Sequence, residues 1–144
     1  MFDTIVKNTA VPLLLRLALA AIFLFHGLHL VGDEGHEWGA AWMNAEASKQ
    51  GVEPPPPPVQ LAVAWGELIG GVALALGFLT RLAALGIIAL MAGAIATVHW
   101  PNGFDITKGG YEYNMLIIVA CVVLVLTGGG NGAVDRFFRL RRRQ

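Results

Sequence analysis

The sequence contains little charge and almost no cysteine, and each shortage excludes a class of protein. Of its 144 residues, 14% are charged and 56% are hydrophobic, and the mean hydropathy is +0.61. A soluble globular domain carries about 25% charged residues, so this composition predicts a membrane protein. The single cysteine, Cys121, excludes an intrachain disulfide and a cysteine metal cluster. Its position in an apolar run indicates a packing role.

A phosphate-binding loop is also missing. Glycines stand together from Gly128 to Gly130, but no Lys-Ser or Lys-Thr pair follows them. Without that pair and a downstream helix, the glycines lack the parts that hold a nucleotide phosphate. We interpret them as the end of an apolar helix.

Long apolar runs are what the sequence has instead. Four of them stand out: Ala10 to Val31, Val59 to Leu79, Leu82 to Trp100 and Tyr113 to Gly130. A helix needs about 17 to 25 residues to cross a hydrocarbon core of about 30 Å. The β-branched residues of the fourth run are typical of a strand, but an open strand edge cannot lie in lipid. We therefore predict one all-α integral membrane domain over residues 1–144, a bundle of four transmembrane helices.

Basic residues concentrate on one side of this predicted bundle. The tail, residues 131–144, carries five arginines, and the turn between the second and third spans carries Arg81. The two other loops carry six acidic residues against Lys49 and Lys108. The positive-inside rule then places both termini in the cytoplasm. The basic tail is expected to face anionic lipid headgroups rather than a nucleic acid.

The first external loop, residues 32–58, is long and has two distinct parts. Glu37 to Gln50 has tryptophans and alanines at helical spacing, which predicts either a short amphipathic helix on the membrane surface or a partly ordered loop. Pro54 to Pro58 predicts a polyproline II spacer of about 15 Å. Acidic residues flank His36, but a solvated acidic loop is favoured over a cation site, and no metal is predicted.

The stretch from Trp65 to Arg81 places an acid, Glu67, inside the second span. A carboxylate in hydrocarbon is costly and indicates a partner or a function. At about 1.5 Å per residue, Glu67 lies about 12 Å and His26 about 7 Å below the outer surface, and Arg16 about 9 Å above the inner one. Glu67 could therefore form a structural salt bridge with Arg16 or a titratable pair with His26. The sequence does not choose between them.

The remaining polar residues gather at the outer mouth of the bundle. His99 and His26 differ in depth by about 5 to 7 Å, which disfavours two axial ligands to one haem. A quinone head group is easier to accommodate, because it needs one donor such as Tyr113, one acid or base such as Glu67, and an apolar cleft for its tail. The sequence leaves the cofactor open: a quinone is compatible with it and a haem is disfavoured.

Several of these residues together resemble the DoxX family of small four-span bacterial membrane proteins. The similarity lies in Arg16 with Ile22 to Gly27, in Glu67 to Gly71 with Gly77 to Arg81, and in His99, Glu112, Gly128 to Gly130 and Asp135. The resemblance implies a four-helix bundle in the bacterial inner membrane with both termini cytoplasmic. It also implies a link to thiosulfate:quinone oxidoreduction or to membrane complexes that handle thiol redox stress. The proline run and the tryptophan-containing segment of the first loop depart from a minimal member.

We predict a redox-associated subunit that binds a quinone or a similar lipid-soluble ligand in the outer half of the bundle. Its site would combine a proton-handling pair, Glu67 with His26, and ligand contacts from Trp65, His99, Glu112 and Tyr113. Arg16 and Arg81 would be structural charges. The alternative is a non-catalytic assembly or accessory subunit, partnered by other membrane or periplasmic proteins or by further copies of itself. A small transporter is disfavoured, because no span is broken at midplane.

Overall fold

The computed structural model describes residues 6–32, 44–45, 48–49, 51 and 53–141, without the side chains of Lys7 and of residues 138–141. Every regular element in these ranges is helical, and they contain no strand. The acidic cluster around His36 and most of the segment Glu37 to Gln50 lie outside the described residues.

Five α-helices of eight or more residues lie in the described ranges, and the first four are close to the predicted spans. They are α1 (Val11–Gly32), α2 (Pro57–Leu76), α3 (Thr80–Ala94), α4 (Glu112–Thr127) and α5 (Val134–Arg141). A π-helical turn, Val6–Ala10, leads into α1, and another, Ile95–His99, continues α3 into a 3-10 turn, Trp100–Asn102. A second 3-10 turn, Ile106–Lys108, lies in the loop before α4.

Three of these helical segments are long and apolar enough to cross a membrane: Asn8–Gly32, Pro57–Leu76 and Thr80–Asn102. The fourth predicted span is shorter than expected. Helix α4 has 16 residues, about 24 Å at 1.5 Å per residue, because Gly128 ends it with a φ of 74°. The prediction of four apolar helices is confirmed, and the full length of the fourth span is not.

The proline run is divided between a spacer and a helix. Pro56 is extended, with φ −53° and ψ 146°, but Pro57 and Pro58 are already the first residues of α2. Proline is tolerated in the first helical turn because its missing N–H would have no partner there. The prediction that all five prolines form a polyproline II spacer is therefore wrong for the last two.

The helices bury one stripe each and leave apolar side chains on their outer faces. The core contains Leu19, Ala20 and Phe23 of α1, Ala64 and Leu74 of α2, Ala84, Ile87 and Met91 of α3, and Ile117, Cys121 and Leu124 of α4. Cys121 is fully buried, in agreement with its predicted packing role. Leucines such as Leu14, Leu82 and Leu126 are more than 60% exposed. A helix that is apolar all round suits a lipid environment.

Glycines let α1 and α2 approach to backbone contact. A Cβ atom added to Gly27 would lie 2.5 Å from the Leu68 nitrogen, and one added to Gly71 would lie 2.8 Å from the Leu24 nitrogen. The predicted small pair, Gly66 and Gly70, instead faces side chains of α3. The closest helix approach therefore involves α1, where Gly27 provides the space.

The bundle has two chemically different ends. We call the end that holds the start of α1, the α2–α3 turn and the end of α4 the tail end, and the opposite one the loop end. At the tail end Gly77 closes the predicted tight hairpin in the left-handed conformation, with φ 66° and ψ 37°. Glycine adopts this conformation without the steric cost that a Cβ atom brings.

Candidate functional site

Arg16 is buried at the tail end, where it binds backbone carbonyls. Its guanidinium donates to the Leu74 carbonyl at 2.9 Å, to the Ala75 carbonyl at 3.2 Å and to the Gly129 carbonyl at 2.7 Å. Leu74 and Ala75 are in the last turn of α2, where carbonyls have no partner within the helix. Arg16 therefore caps α2 and places its positive charge at the negative end of the helix dipole.

Asp135 and Arg81 cap two further helices at the same end. The Asp135 carboxylate accepts from the Leu79 N–H at 2.6 Å and from the Thr80 N–H at 2.8 Å, at the start of α3. Arg81 donates to the Leu126 carbonyl near the end of α4 at 3.4 Å. The charged residues of the tail end thus join the helices through their termini.

The structure does not join Arg16 to Glu67, one of the two pairings expected for this acid. The Arg16 donors are used at the end of α2, seven residues and about 10 Å beyond Glu67 along the helix. Carbonyls at a helix terminus cannot be recognised as acceptors from residue type. The sequence therefore suggested Glu67 as the partner of Arg16. The structural role of Arg16 stays a prediction, now with backbone carbonyls as the partners.

Glu67 lies near the middle of α2 on its buried stripe. It is ten residues from the first residue of α2, about 15 Å, which is deeper than predicted because the helix begins at Pro57. The side chain is partly buried, and its Oε2 atom is fully buried with no hydrogen-bond partner. Such an atom in an apolar helix bundle is costly whether it is protonated or not.

Two buried polar side chains, Asn114 and Gln60, lie in the same part of the bundle as Glu67. Asn114 of α4, 6% exposed, donates to the Met91 sulfur at 3.5 Å. Gly27 contacts Leu68, and Gly66 contacts Leu90. These contacts and the hydrogen bond to Met91 place three side chains at one level of the bundle: Glu67, Met91 and Asn114. Two turns closer to the loop end, Gln60 is 1% exposed and its Oε1 atom has no partner.

Of the described histidines, His26 and His29 are more exposed than Glu67, and His99 is partly buried as Glu67 is. His26 is exposed and packs edge-to-face on Phe25, with ring centroids 5.5 Å apart. No hydrogen bond between His26 and Glu67 occurs within the described ranges. His99 is partly buried, and its Nδ1 atom is 2.7 Å from the Gly109 carbonyl. Because a carbonyl only accepts, Nδ1 carries the proton and Nε2 is left as an acceptor when the ring is neutral.

The other predicted ligand contacts are spread around the loop end. Glu112 begins α4 and is partly buried, and its N–H donates to the Phe104 carbonyl at 3.0 Å. Tyr113 and Trp65 have exposed fractions of 39% and 38%. The structure thus places these residues in the same half of the bundle. In the described part of the chain, no hydrogen bond joins His99, Glu112 and Tyr113 to one another.

Most of the chain matches the sequence model of a known protein family. The family model described as DoxX matches residues 11–100, which contain α1, α2, α3 and both Arg16 and Glu67. The chain belongs to the DoxX family. It is a membrane protein with several apolar helices, and the resemblance based on its motifs is confirmed.

A similar protein is an uncharacterized protein of Haemophilus influenzae. This DoxX protein is 29% identical to it over 85 residues, which is 58% of this chain and 56% of that protein. The matched part therefore spans little more than half the length of the relative. No solved structure matches the chain significantly.

Two features of this DoxX protein were missed in the sequence. Gln60 is seven residues before Glu67, two helical turns along the same face, and that spacing of a polar residue from a buried acid is a readable signal. The second is an aromatic cluster in the loop before α4, where Tyr111 stacks on Trp100 at 5.6 Å and contacts Phe104 edge-to-face at 5.7 Å. Residues this far apart give no local pattern.

Proposed function

We propose that this DoxX protein is a redox-associated membrane subunit that binds a quinone or a similar lipid-soluble ligand between the middle and the loop end of the bundle. The observation that carries the proposal is the buried, unpartnered Oε2 atom of Glu67. Arg16 is already bound to three carbonyls, so it leaves this acid for another partner. A bound ligand would supply that partner.

The chemistry of a carboxyl group suits both forms of a quinone. A carboxylic acid donates to a carbonyl oxygen, and a carboxylate accepts from a hydroxyl group. His26 would exchange protons near the outer surface, since it is six residues from the end of α1 at Gly32. His99, Glu112, Tyr113 and Trp65 would line the approach. In this proposal Glu67 is the residue that contacts the ligand.

Replacing Glu67 with glutamine tests this proposal directly. Glu67→Gln keeps the size of the side chain and removes its ability to exchange a proton, so we expect ligand affinity to fall about tenfold, because a neutral hydrogen bond of about 0.5 to 1.5 kcal/mol replaces a charged one of about 1.5 to 3 kcal/mol. Insertion and the unfolding midpoint should not fall. Native mass spectrometry of gently extracted protein, followed by quinone titration, measures both.

The matched control is Glu53→Gln, which changes an exposed acid just before α2. It should bind like the wild-type protein. If Glu67→Gln and Glu53→Gln bind a quinone equally well, Glu67 is not the contact. If the wild-type protein retains and binds no quinone, the ligand-binding proposal is wrong.

A second candidate is a non-catalytic assembly subunit, and the tail end favours it. There Arg16, Arg81 and Asp135 all form hydrogen bonds with helix termini, which supports a structural use of charged residues in this chain. Under this proposal Glu67 would bind a group of another membrane or periplasmic subunit, or of a second copy. A native mass spectrum with added protein mass and no small molecule would support it over the first.

We also propose that the protein lies in a bacterial inner membrane with both termini in the cytoplasm. The basic residues of the tail and Arg81 support this orientation through the positive-inside rule. Green fluorescent protein fused after Gln144 should therefore fluoresce, and alkaline phosphatase inserted after Gly103 should be active. Active phosphatase fused at the C-terminus would contradict the orientation.

A further inference from the structure

The loop between α3 and α4, residues 103–111, carries large apolar side chains on its surface. Phe104 is more than half exposed and Ile106 nearly half, and Trp100, just before the loop, is also more than half exposed. Phe104 and Trp100 belong to one aromatic cluster through their contacts with Tyr111. Large apolar groups held on a loop in this way indicate a surface that meets lipid or protein.

The backbone of this loop satisfies most of its donors internally. Every N–H in residues 107–112 donates to an acceptor within residues 103–106. The Gly109 carbonyl accepts from the His99 ring and from the Asn102 amide. A loop in water can take such hydrogen bonds from the solvent, whereas a loop in a layer with little water has to make them itself. The second half of this loop therefore meets the requirement for a place next to lipid.

The loop also lies at a depth that the α3 segment still spans. The Asn114 amide donates to the Met91 sulfur at 3.5 Å, which puts these two residues at one level. From Met91 the apolar segment of α3 continues for eleven residues, to Asn102. From Asn114 helix α4 continues for only two residues, to its start at Glu112. The difference of nine residues corresponds to about 13 Å of helix, and the chain occupies this depth as a loop.

A charged pair limits how far into the bilayer the loop can lie. The side chains of Asp105 and Lys108 are accessible, and their charged atoms are 4.0 Å apart. Charged side chains are costly in the hydrocarbon core, but they are solvated among the headgroups. Tryptophan and tyrosine concentrate in the same interfacial layer of headgroups and upper acyl chains. The apolar and the charged side chains of the loop therefore fit one layer.

Lipid is the partner that this surface fits. The Phe104 carbonyl accepts from the Glu112 N–H at the start of α4, so the loop is joined directly to that helix. Exposed apolar side chains continue along α4, among them Met115 and Leu116. Because the outer face of an apolar helix meets acyl chains, the loop extends a surface that lipid already covers.

From these observations we infer that residues 103–111 anchor the loop end of the bundle in the interfacial layer of the bilayer. Phe104 and Ile106 lie among the upper acyl chains of the phospholipids, and Asp105 and Lys108 lie at their headgroups. The inference does not depend on the ligand proposed for Glu67.

The depth of spin labels in the bilayer tests this inference. Cys121 is the single cysteine of the sequence, so Cys121→Ala gives a background in which Phe104→Cys, Ile106→Cys and Lys108→Cys each carry one nitroxide. The full-length protein is reconstituted in vesicles of phosphatidylethanolamine and phosphatidylglycerol. Collisions with oxygen, which concentrates in lipid, are compared with collisions with a water-soluble nickel complex. We expect the labels at positions 104 and 106 about 5 to 10 Å inside the headgroup boundary, the depth of an interfacial apolar face.

Lys108→Cys is the matched control, because Lys108 belongs to the same loop and its side chain is 75% exposed. Its label should lie outside the headgroup boundary. Ile106→Cys reports independently of Phe104→Cys, since Ile106 lies outside the aromatic cluster. Equal access of nickel to all three labels would place the loop in water and overturn the inference. Low access of both oxygen and nickel to the labels at positions 104 and 106 would place them against protein, which would also overturn it.

Discussion

Replacing Arg16 with methionine should lower the free energy of unfolding by about 2 to 5 kcal/mol, because each buried carbonyl that loses its donor costs about 1 to 3 kcal/mol. Methionine occupies similar apolar space but leaves the Ala75 and Gly129 carbonyls without their donor, while the Leu74 carbonyl keeps only the Gly77 N–H at 3.2 Å. Few water molecules reach a carbonyl at this depth, so the loss is not compensated. Arg16→Lys should recover part of the stability, since an ammonium donates from a single point and lacks the planar fork of arginine.

Unfolding in mixed detergent micelles, followed by circular dichroism during titration with dodecyl sulfate, measures this effect. Arg81→Met is the matched control, because Arg81 is exposed and makes one hydrogen bond of 3.4 Å; it should cost less than about 1 kcal/mol. Equal losses in the two variants would contradict the capping role of Arg16. Because Arg16 and Glu67 do not share a partner, the losses from Arg16→Ala and Glu67→Ala should simply add.

The second large effect is expected at Gly27. An added methyl group would lie 2.5 Å from the Leu68 nitrogen and 2.6 Å from its Cα atom, and both are backbone atoms that cannot rotate away. Gly27→Ala should therefore separate α1 from α2 and cost about 1 to 3 kcal/mol, as overpacked cores do. This loss should exceed the gain in helix propensity, which is at most about 1 kcal/mol.

Gly86→Ala is the control for Gly27→Ala. Gly86 is also within a helix, but an added Cβ atom would meet nothing within 4 Å. This variant should be as stable as the wild-type protein or slightly more stable. The same titration compares the two, and a Gly27→Ala protein as stable as Gly86→Ala would show that the α1–α2 contact is looser than the structure has it.

The helices could be predicted from the sequence because lipid imposes a simple rule on composition. Apolar length alone located three spans to within three residues at most ends, and Gly77 marked the hairpin. The ends of the helices were harder to predict. Pro57 and Pro58 have the residue type of a spacer, but they lie in the first turn of a helix. Gly128 shortened α4 because its backbone, with φ 74° and ψ −170°, cannot continue the helix.

The candidate site was predicted only in part, and the reason is chemical. An acid within a span is visible in any sequence, so Glu67 could be recognised. The partners of Arg16 are backbone carbonyls, which every residue has, and only folding shows which three come within reach of its guanidinium. Gln60 was missed because glutamine has no charge, although its buried oxygen has the same unmet requirement as that of Glu67.

The contacts of Arg16 also constrain the order in which the chain can be built into a membrane. A ribosome supplies α1 first, yet the Leu74 acceptor is synthesised 58 residues after Arg16 and the Gly129 acceptor 113 residues after it. During that interval the guanidinium has to be hydrated or to bind lipid phosphates near the bilayer surface. Helix α1 therefore reaches its final depth after translation of α2, and the last acceptor is provided only when the turn after α4 has been made. Nascent chains stopped before Gly129 should hold α1 in a shallower position than the finished protein does.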